Sequence, residues 1–216
     1  MQLKVLQENL NSVLTHLSKA IPSNPQLPIL ASILIETENG ICTLSATDLY
    51  LGIRCSISVD STTNGSIVIP GRQFKEIISS LEVGALDLLF ADNSLAIANN
   101  KTKISLAGSQ THEYPPFPQV EGEEYLFPME YFEQIEQNIV FSASTDQARP
   151  VLTAVLFVFG KTGLTCVSTD GFRLSTLVVD GTTEFEEKTF LIPAKALSEV
   201  YKIASKLKAT EVRFKV

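Results

Sequence analysis

The chain has 216 residues, of which 44% are hydrophobic and 19% are charged, a composition typical of globular domains with a sizeable apolar core. No apolar run approaches the ~18 residues that a membrane-spanning helix needs, and no basic, apolar leader opens the chain, which argues against secretion. The formal net charge of −7 is unusual for a protein that binds nucleic acid, because such proteins generally carry a basic face.

The chain opens with a predicted strand at 2–6 and a helix whose buried face is marked by apolar residues at helical spacing, namely Leu10, Val13, Leu14, Leu17 and Ile21. Strands are predicted at 31–36 and 41–45, joined by a tight turn at Asn39-Gly40. Further strands follow at 51–59 and 66–69. Pro70 begins a second helix, with a buried face formed by Phe74, Ile77, Ile78 and Leu81.

Strands at 85–90, 94–98 and 103–106 complete the first half of the chain, and the second half repeats that half. Leu27–Leu30 (Leu-Pro-Ile-Leu) recurs 122 residues later as Arg149–Leu152 (Arg-Pro-Val-Leu), and Ala46–Asp48 recurs at the same offset as Ser168–Asp170. Such ordered matches predict two copies of one domain. The fold class is therefore α+β, with two helices on one face of largely antiparallel sheets in each copy.

The first domain is predicted to span 1–120 and the second 123–216, with a proline-rich linker between them. The second copy lacks counterparts of the strands at 94–98 and 103–106. We therefore expect the natural protein to be longer than this sequence.

The sequence contains no zinc-ligand spacing, phosphate-binding loop, dinucleotide-binding glycine motif or nucleophile elbow. His16 and His112 are too few for a hydrolase triad or a histidine metal site. These features predict a protein that is not an enzyme and that binds no metal or cofactor. Three cysteines in apolar, strand-like contexts predict buried free thiols and a cytoplasmic location.

Asp48 and Asp170 are related by the repeat, which leaves open a hydrolase of the aspartic type with one carboxylate from each half. The order of the neighbouring residues is wrong for that chemistry, and Leu49 stands where its turn would need glycine. The alternative is that each aspartate accepts hydrogen bonds from the backbone of its own turn.

Lysines recur along one stripe of the last predicted helix, at Lys195, Lys202 and Lys206. The stripe is consistent with a solvated helix face or with a surface that faces phosphates. The opposite, apolar side of this helix is predicted to contain Leu197, Val200, Tyr201 and Ala204.

Several segments resemble those of the bacterial DNA sliding clamp family, the beta subunits of replicative polymerases, namely Leu27–Leu30, Ala46–Asp48, Ile69–Arg72 with Phe74, Arg149–Leu152 and Thr169–Leu174. The resemblance runs along the whole chain. It implies three domains per chain, the third of which is absent from this sequence, and a homodimeric ring that encircles duplex DNA without regard to sequence. It further implies that helices line the hole, facing DNA with Lys19, Arg72, Lys75, Arg149, Lys195, Lys202 and Lys206.

The family also docks short peptide motifs of the replicative polymerase, the clamp loader and repair proteins. By match, this groove would be lined in the second domain by Leu152, Thr169, Gly171, Phe172, Arg173 and Leu174. The resemblance places the dimer contact on the first domain at Phe74, Ile77, Leu81, Ile104 and Leu106. A two-domain binding or scaffold protein without a DNA role remains the alternative.

Overall fold

The computed structural model describes residues 1–61, 63–91, 93–122, 124–160, 163–180 and 187–215. The chain divides into two compact units, Met1–Pro118 and Gln119–Val216. Each unit combines two α-helices with antiparallel sheets in the part of the chain that is described, which confirms the predicted α+β class. Among these residues no helix is long and apolar enough to cross a membrane.

The first unit contains two antiparallel sheets. In chain order its elements are β1 (Gln2–Leu6), α1 (Gln7–Leu17), β2 (Ser32–Glu38), β3 (Ile41–Thr47), β4 (Gly52–Ser58), β5 (Asp60–Ser61), β6 (Gly65–Pro70), α2 (Gly71–Ser80), β7 (Ala85–Ala91), β8 (Ser94–Ala98) and β9 (Lys103–Ala107). One sheet has the order β5-β1-β7-β8-β9 and the other has the order β4-β3-β2-β6. Asn39 and Gly40 both adopt positive φ, as a tight hairpin turn between β2 and β3 requires.

The second unit repeats this plan over its described residues. Its elements are β10 (Glu124–Pro128), α3 (Met129–Asn138), β11 (Ala154–Gly160), β12 (Gly163–Thr169), β13 (Leu174–Asp180), β14 (Lys188–Pro193), α4 (Ala194–Lys206) and β15 (Glu211–Lys215). A four-stranded sheet has the order β13-β12-β11-β14, and β10 pairs with β15. Thr169 therefore lies opposite Leu174 where β12 and β13 meet.

The helices are amphipathic, and each unit buries their apolar faces against its sheets. In the first unit Leu14, Phe74 and Ile78 are fully buried within one core cluster. Burying each such side chain contributes about 1.5–3 kcal/mol. In the second unit α3 packs beside α4, and Ser198 of α4 donates its hydroxyl to the Glu136 carboxylate of α3 at 2.9–3.0 Å.

Two details of the helix predictions were wrong. The first helix ends at Leu17, so Ile21 is buried but lies beyond it, in a turned segment that follows Ser18. Val200 was predicted on the buried side of α4, yet it is 36% exposed, because the sheet and α3 cover only the stripe that contains Leu197 and Ala204.

The turn between β3 and β4 holds a leucine in a strained conformation. Asp48 Oδ1 accepts hydrogen bonds from the backbone N–H of Tyr50 and Leu51 at 3.0 and 2.7 Å. This geometry sets φ of Leu49 to +75°, a left-handed value that is rare for a bulky residue. The equivalent residue of the second unit is Gly171, with φ of +93°.

We expect Leu49→Gly to raise the free energy of unfolding of the first unit by about 1 kcal/mol, because glycine removes the left-handed strain and Leu49 is largely exposed. Urea unfolding followed by circular dichroism measures the change. Tyr50→Gly is the matched control in the same turn, and it should bring no gain. Equal or lower stability of Leu49→Gly relative to the parent chain would contradict the strain argument.

Candidate functional site

The turn between β12 and β13 is held by two side chains that bond to its backbone. Asp170 Oδ1 accepts hydrogen bonds from the N–H groups of Phe172 and Arg173 at 2.9 and 3.0 Å. Thr169 Oγ1 accepts from the Gly171 N–H at 3.0 Å and donates to the Arg173 carbonyl at 2.6 Å. The interpretation of both repeat-related aspartates as turn-capping residues is therefore confirmed.

The same hydrogen bonds set the charge state of Asp170. Backbone N–H groups of Phe172 and Arg173, together with the Arg173 guanidinium, stabilise the carboxylate and hold its pKa below the usual value. The Arg173 Nε atom lies 3.0 Å from Asp170 Oδ2. Asp170 thus remains a carboxylate that orders the turn.

Arg173 also reaches back to the segment that follows α3. Its Nη2 donates to the Phe141 carbonyl at 2.8 Å, and the guanidinium carbon lies 5.3 Å from the centroid of the Phe141 ring. The arginine therefore joins the β12–β13 turn to Phe141, a residue that the sequence analysis did not identify.

Large apolar side chains are exposed around this turn. The exposed fractions are 95% for Phe172, 66% for Leu174, 65% for Val151 and 53% for Phe141. Leu152 is half-buried just before β11. Phe172 and Leu174 belong to the turn itself and Phe141 is tied to it through Arg173, and exposed apolar side chains grouped in this way mark interaction surfaces. Five of the predicted groove residues, 169 and 171–174, are contiguous here, whereas Phe141 and Val151 come from other segments.

Arg149 lies beside this turn. A Cβ atom at Gly171 would be 3.5 Å from Arg149 Nη1, and Arg149 Nε lies 3.2 Å from Asp146 Oδ2. The 3.5 Å distance is an ordinary van der Waals contact, so it is the positive φ that favours glycine at position 171.

The predicted phosphate-facing residues lie on or next to helices. Lys195, Lys202 and Lys206 are exposed along α4, where Lys202 also pairs with Glu199 at 3.1 Å. In the first unit Lys19 and Arg72 are exposed. Lys75 is half-buried and donates to Ser18 Oγ at 3.0 Å.

The predicted dimer residues divide into two groups. Phe74 and Leu106 are buried in the core of the first unit, so their side chains are directed inward and we remove them from the proposed contact. Ile77, Leu81 and Ile104 are half-buried. Ile104 belongs to β9, which ends the order of its sheet and so presents an edge.

The thiols are unsuited to nucleophilic chemistry. Burial raises the pKa of Cys42 to about 11 and that of Cys166 to about 12, and it also raises the pKa of the half-buried Cys55. Within the described ranges no cluster of three or more His, Cys, Asp or Glu side chains is arranged to hold a metal ion.

Comparison with known proteins identifies the family. The protein-family model of the DNA polymerase III beta subunit N-terminal domain matches residues 1–118 of the sequence. The family model of the central domain matches residues 127–215. The chain belongs to the DNA polymerase III beta subunit family. The N-terminal match covers the first unit, and the central match contains the β12–β13 turn and α4 of this beta-subunit chain.

Relatives of this beta-subunit chain are named as sliding clamps. The beta sliding clamp of Staphylococcus epidermidis is 32% identical over 197 residues, covering 87% of the chain and 52% of that protein. The beta sliding clamp of Chlamydia pneumoniae is 27% identical over 208 residues, covering 95% of the chain and 57% of that protein. The crystal structure of the DNA polymerase sliding clamp from Bacillus subtilis matches with a TM-score of 0.88 at 27% sequence identity. The match covers 94% of the chain and 56% of that structure's chain. The chain spans about half the length of the curated relatives it matches.

We expect the stability of the β12–β13 turn of this beta-subunit chain to fall in acid. The folded pKa of Asp170 is lowered, so its contribution is complete above the ordinary value of about 3.9 and is lost as the pH falls through the lowered folded pKa. NMR titration of the carboxyl carbon measures that pKa, and Asp170→Asn should remove this part of the pH dependence. A pKa at or above the ordinary value would contradict the assignment.

Proposed function

We propose that this chain is part of a DNA sliding clamp, a non-catalytic ring dimer that encircles duplex DNA and tethers the replicative polymerase during processive synthesis. The observation that carries the proposal is the ordered match of both units to beta-subunit domains. The sliding-clamp names of the relatives support it.

A decisive experiment uses topology, because a ring stays on a closed circle of DNA without binding it tightly. The full-length protein is loaded onto nicked circular duplex by a clamp loader, and retention is measured by gel filtration. A clamp stays on the circle and leaves when a restriction enzyme linearises it. A two-domain binding protein without a DNA role would not be retained on either form.

The DNA-facing surface is proposed to be the helix layer of each unit. In the second unit Lys195, Lys202 and Lys206 of α4 share this layer with glutamates, namely Glu130, Glu133, Glu136 and Glu199. The layer is therefore nearly neutral rather than strongly basic. Such a surface attracts phosphates weakly and without sequence preference, in keeping with a protein that slides. In the first unit the candidates are Lys19, Arg72 and Lys75, and Arg149 of the second unit remains a further candidate.

We expect replacement of Lys195, Lys202 and Lys206 by alanine to weaken duplex binding about ten-fold and to lower the slope of log affinity against log salt by about 2–3, roughly one for each lysine that no longer neutralises a phosphate. Anisotropy of a fluorescein-labelled 20-base-pair duplex at low salt measures both. Lys4→Ala, on β1 rather than on a helix, is the matched control and should leave binding unchanged. If Lys4→Ala weakened duplex binding as much as the triple lysine variant does, the proposal that α4 faces DNA would be rejected.

The second proposed role is docking of short peptide motifs of the polymerase, the clamp loader and repair proteins at the β12–β13 turn. The proposed lining residues are Leu152, Thr169, Gly171, Phe172, Arg173 and Leu174. An extended peptide alternates its side chains, so that apolar ones can pack on the exposed Leu174 and Phe172 while Arg173 bonds a carbonyl or carboxylate.

We expect Leu174→Ala or Arg173→Ala to weaken binding of a fluorescein-labelled Ser-Leu-Asp-Leu-Ser-Leu peptide about ten-fold without unfolding the chain, since both side chains are exposed. Fluorescence anisotropy reports the affinity and circular dichroism reports the fold. Leu89→Ala is the matched control, because Leu89 is an exposed leucine on a strand of the first unit. If Leu174→Ala and Arg173→Ala bound the peptide as tightly as Leu89→Ala does, peptide docking at the β12–β13 turn would be contradicted.

The proposed dimer contact uses the β9 edge of the first unit together with Ile77, Leu81 and Ile104. An edge strand offers its backbone N–H and C=O groups to another chain, and half-buried apolar side chains beside it add contact area.

A further inference from the structure

Phe141 lies in a short 3-10 turn, Val140–Ser142, that is pinned on both sides. On one side Ile139 is fully buried and its carbonyl accepts the Ser168 hydroxyl at 2.5 Å. On the other side the hydroxyls of Ser142 and Ser175 lie 2.5 Å apart in a hydrogen bond. The backbone around Phe141 is thus fixed to β12 and β13, while its own ring remains more than half exposed.

Arg173 is held by this turn and by Asp170 at the same time. Its Nε bonds to Asp170 Oδ2 at 3.0 Å and its Nη2 bonds to the Phe141 carbonyl at 2.8 Å. These bonds use two of the five N–H donors of a guanidinium. The 5.3 Å distance from the guanidinium carbon to the Phe141 centroid lies within the range of a cation–π contact.

These contacts matter because the Arg173 side chain is 57% exposed. An exposed arginine samples many rotamers and loses that freedom when a ligand immobilises it. An arginine that is already fixed between a carboxylate, a carbonyl and a ring loses much less on binding, and its planar fork suits a second carboxylate.

We propose that Phe141 is a positioning residue, which holds Arg173 in one orientation so that the groove selects extended peptides carrying a carboxylate. The selection rests on the proposed peptide-docking function and deepens it. The ring supplies the face on which the guanidinium rests, and the carbonyl supplies the acceptor for Nη2.

The positioning role is tested without any peptide, by NMR of the Arg173 Nε–H signal, which is assigned from its loss in Arg173→Lys. Phe141→Ala removes the ring and keeps the carbonyl, so hydrogen exchange at Nε should rise about two- to five-fold, the size of an exposed cation–π contact. Phe141→Leu keeps apolar bulk without an aromatic face and should also raise exchange, whereas Phe141→Tyr should restore the parent rate. An unchanged rate in Phe141→Ala, with a native backbone amide spectrum, would overturn the proposal.

The preference for a peptide carboxylate is tested with the Ser-Leu-Asp-Leu-Ser-Leu peptide and the matched peptide Ser-Leu-Asn-Leu-Ser-Leu, in which asparagine replaces aspartate. In the parent chain the aspartate peptide should bind about ten-fold more tightly, because a bond to a charged acceptor is stronger than one to a neutral one. Phe141→Ala should bring the ratio of the two peptide affinities toward one, and Phe141→Tyr should restore the parent ratio. Val83→Ala, at an exposed apolar residue of the first unit, is the control and should leave the ratio unchanged.

The outcomes separate the two proposals. A ratio that Phe141→Ala leaves unchanged overturns the role of Phe141 in selection. Failure of both peptides to bind the parent chain, with Nε exchange that depends on Phe141, rejects the docking function and the selection that rests on it, while it supports the positioning of Arg173 by Phe141.

Discussion

Each unit depends on burying the apolar faces of two short helices against antiparallel sheets. Helices of 10–13 residues are only marginally stable alone, so tertiary packing must supply most of their stability. Fully buried residues such as Leu14, Phe74 and Ile78 show where that packing is made in the first unit. The opposite helix faces are left polar, and these faces carry the lysines that we propose to meet DNA.

The same turn is used twice, with different consequences. In both units an aspartate accepts two backbone N–H groups and forces the next residue into the left-handed region. In the first unit that residue is Leu49, which stores strain on an exposed turn. In the second unit Gly171 adopts the same conformation without a side-chain penalty, and the turn presents Phe172 and Leu174 outward. The repeated turn therefore carries backbone strain at Leu49 in the first unit and none at the equivalent Gly171 of the second.

The acidic net charge and a DNA role are compatible because the two concern different parts of the surface. The chain carries a formal charge of −7, yet α4 presents Lys195, Lys202 and Lys206 on one stripe. Interspersed glutamates keep the attraction weak, which suits a ring that must move along DNA rather than grip it. Topological linkage, rather than affinity, would then keep the proposed clamp on its substrate.

The amino-acid sequence by itself determined the repeat, the positions of most strands and helices, and the Asn39-Gly40 turn, because hydrophobic period and turn chemistry act over a few residues. It also identified the contiguous part of the candidate groove, through the similarity of Thr169–Leu174 to a known family. Only the tertiary structure decided which side chains are exposed. It exposed Val200 and brought Phe141 to Arg173, since these outcomes depend on contacts between elements distant in the chain, such as the bond from Ser168 to the Ile139 carbonyl.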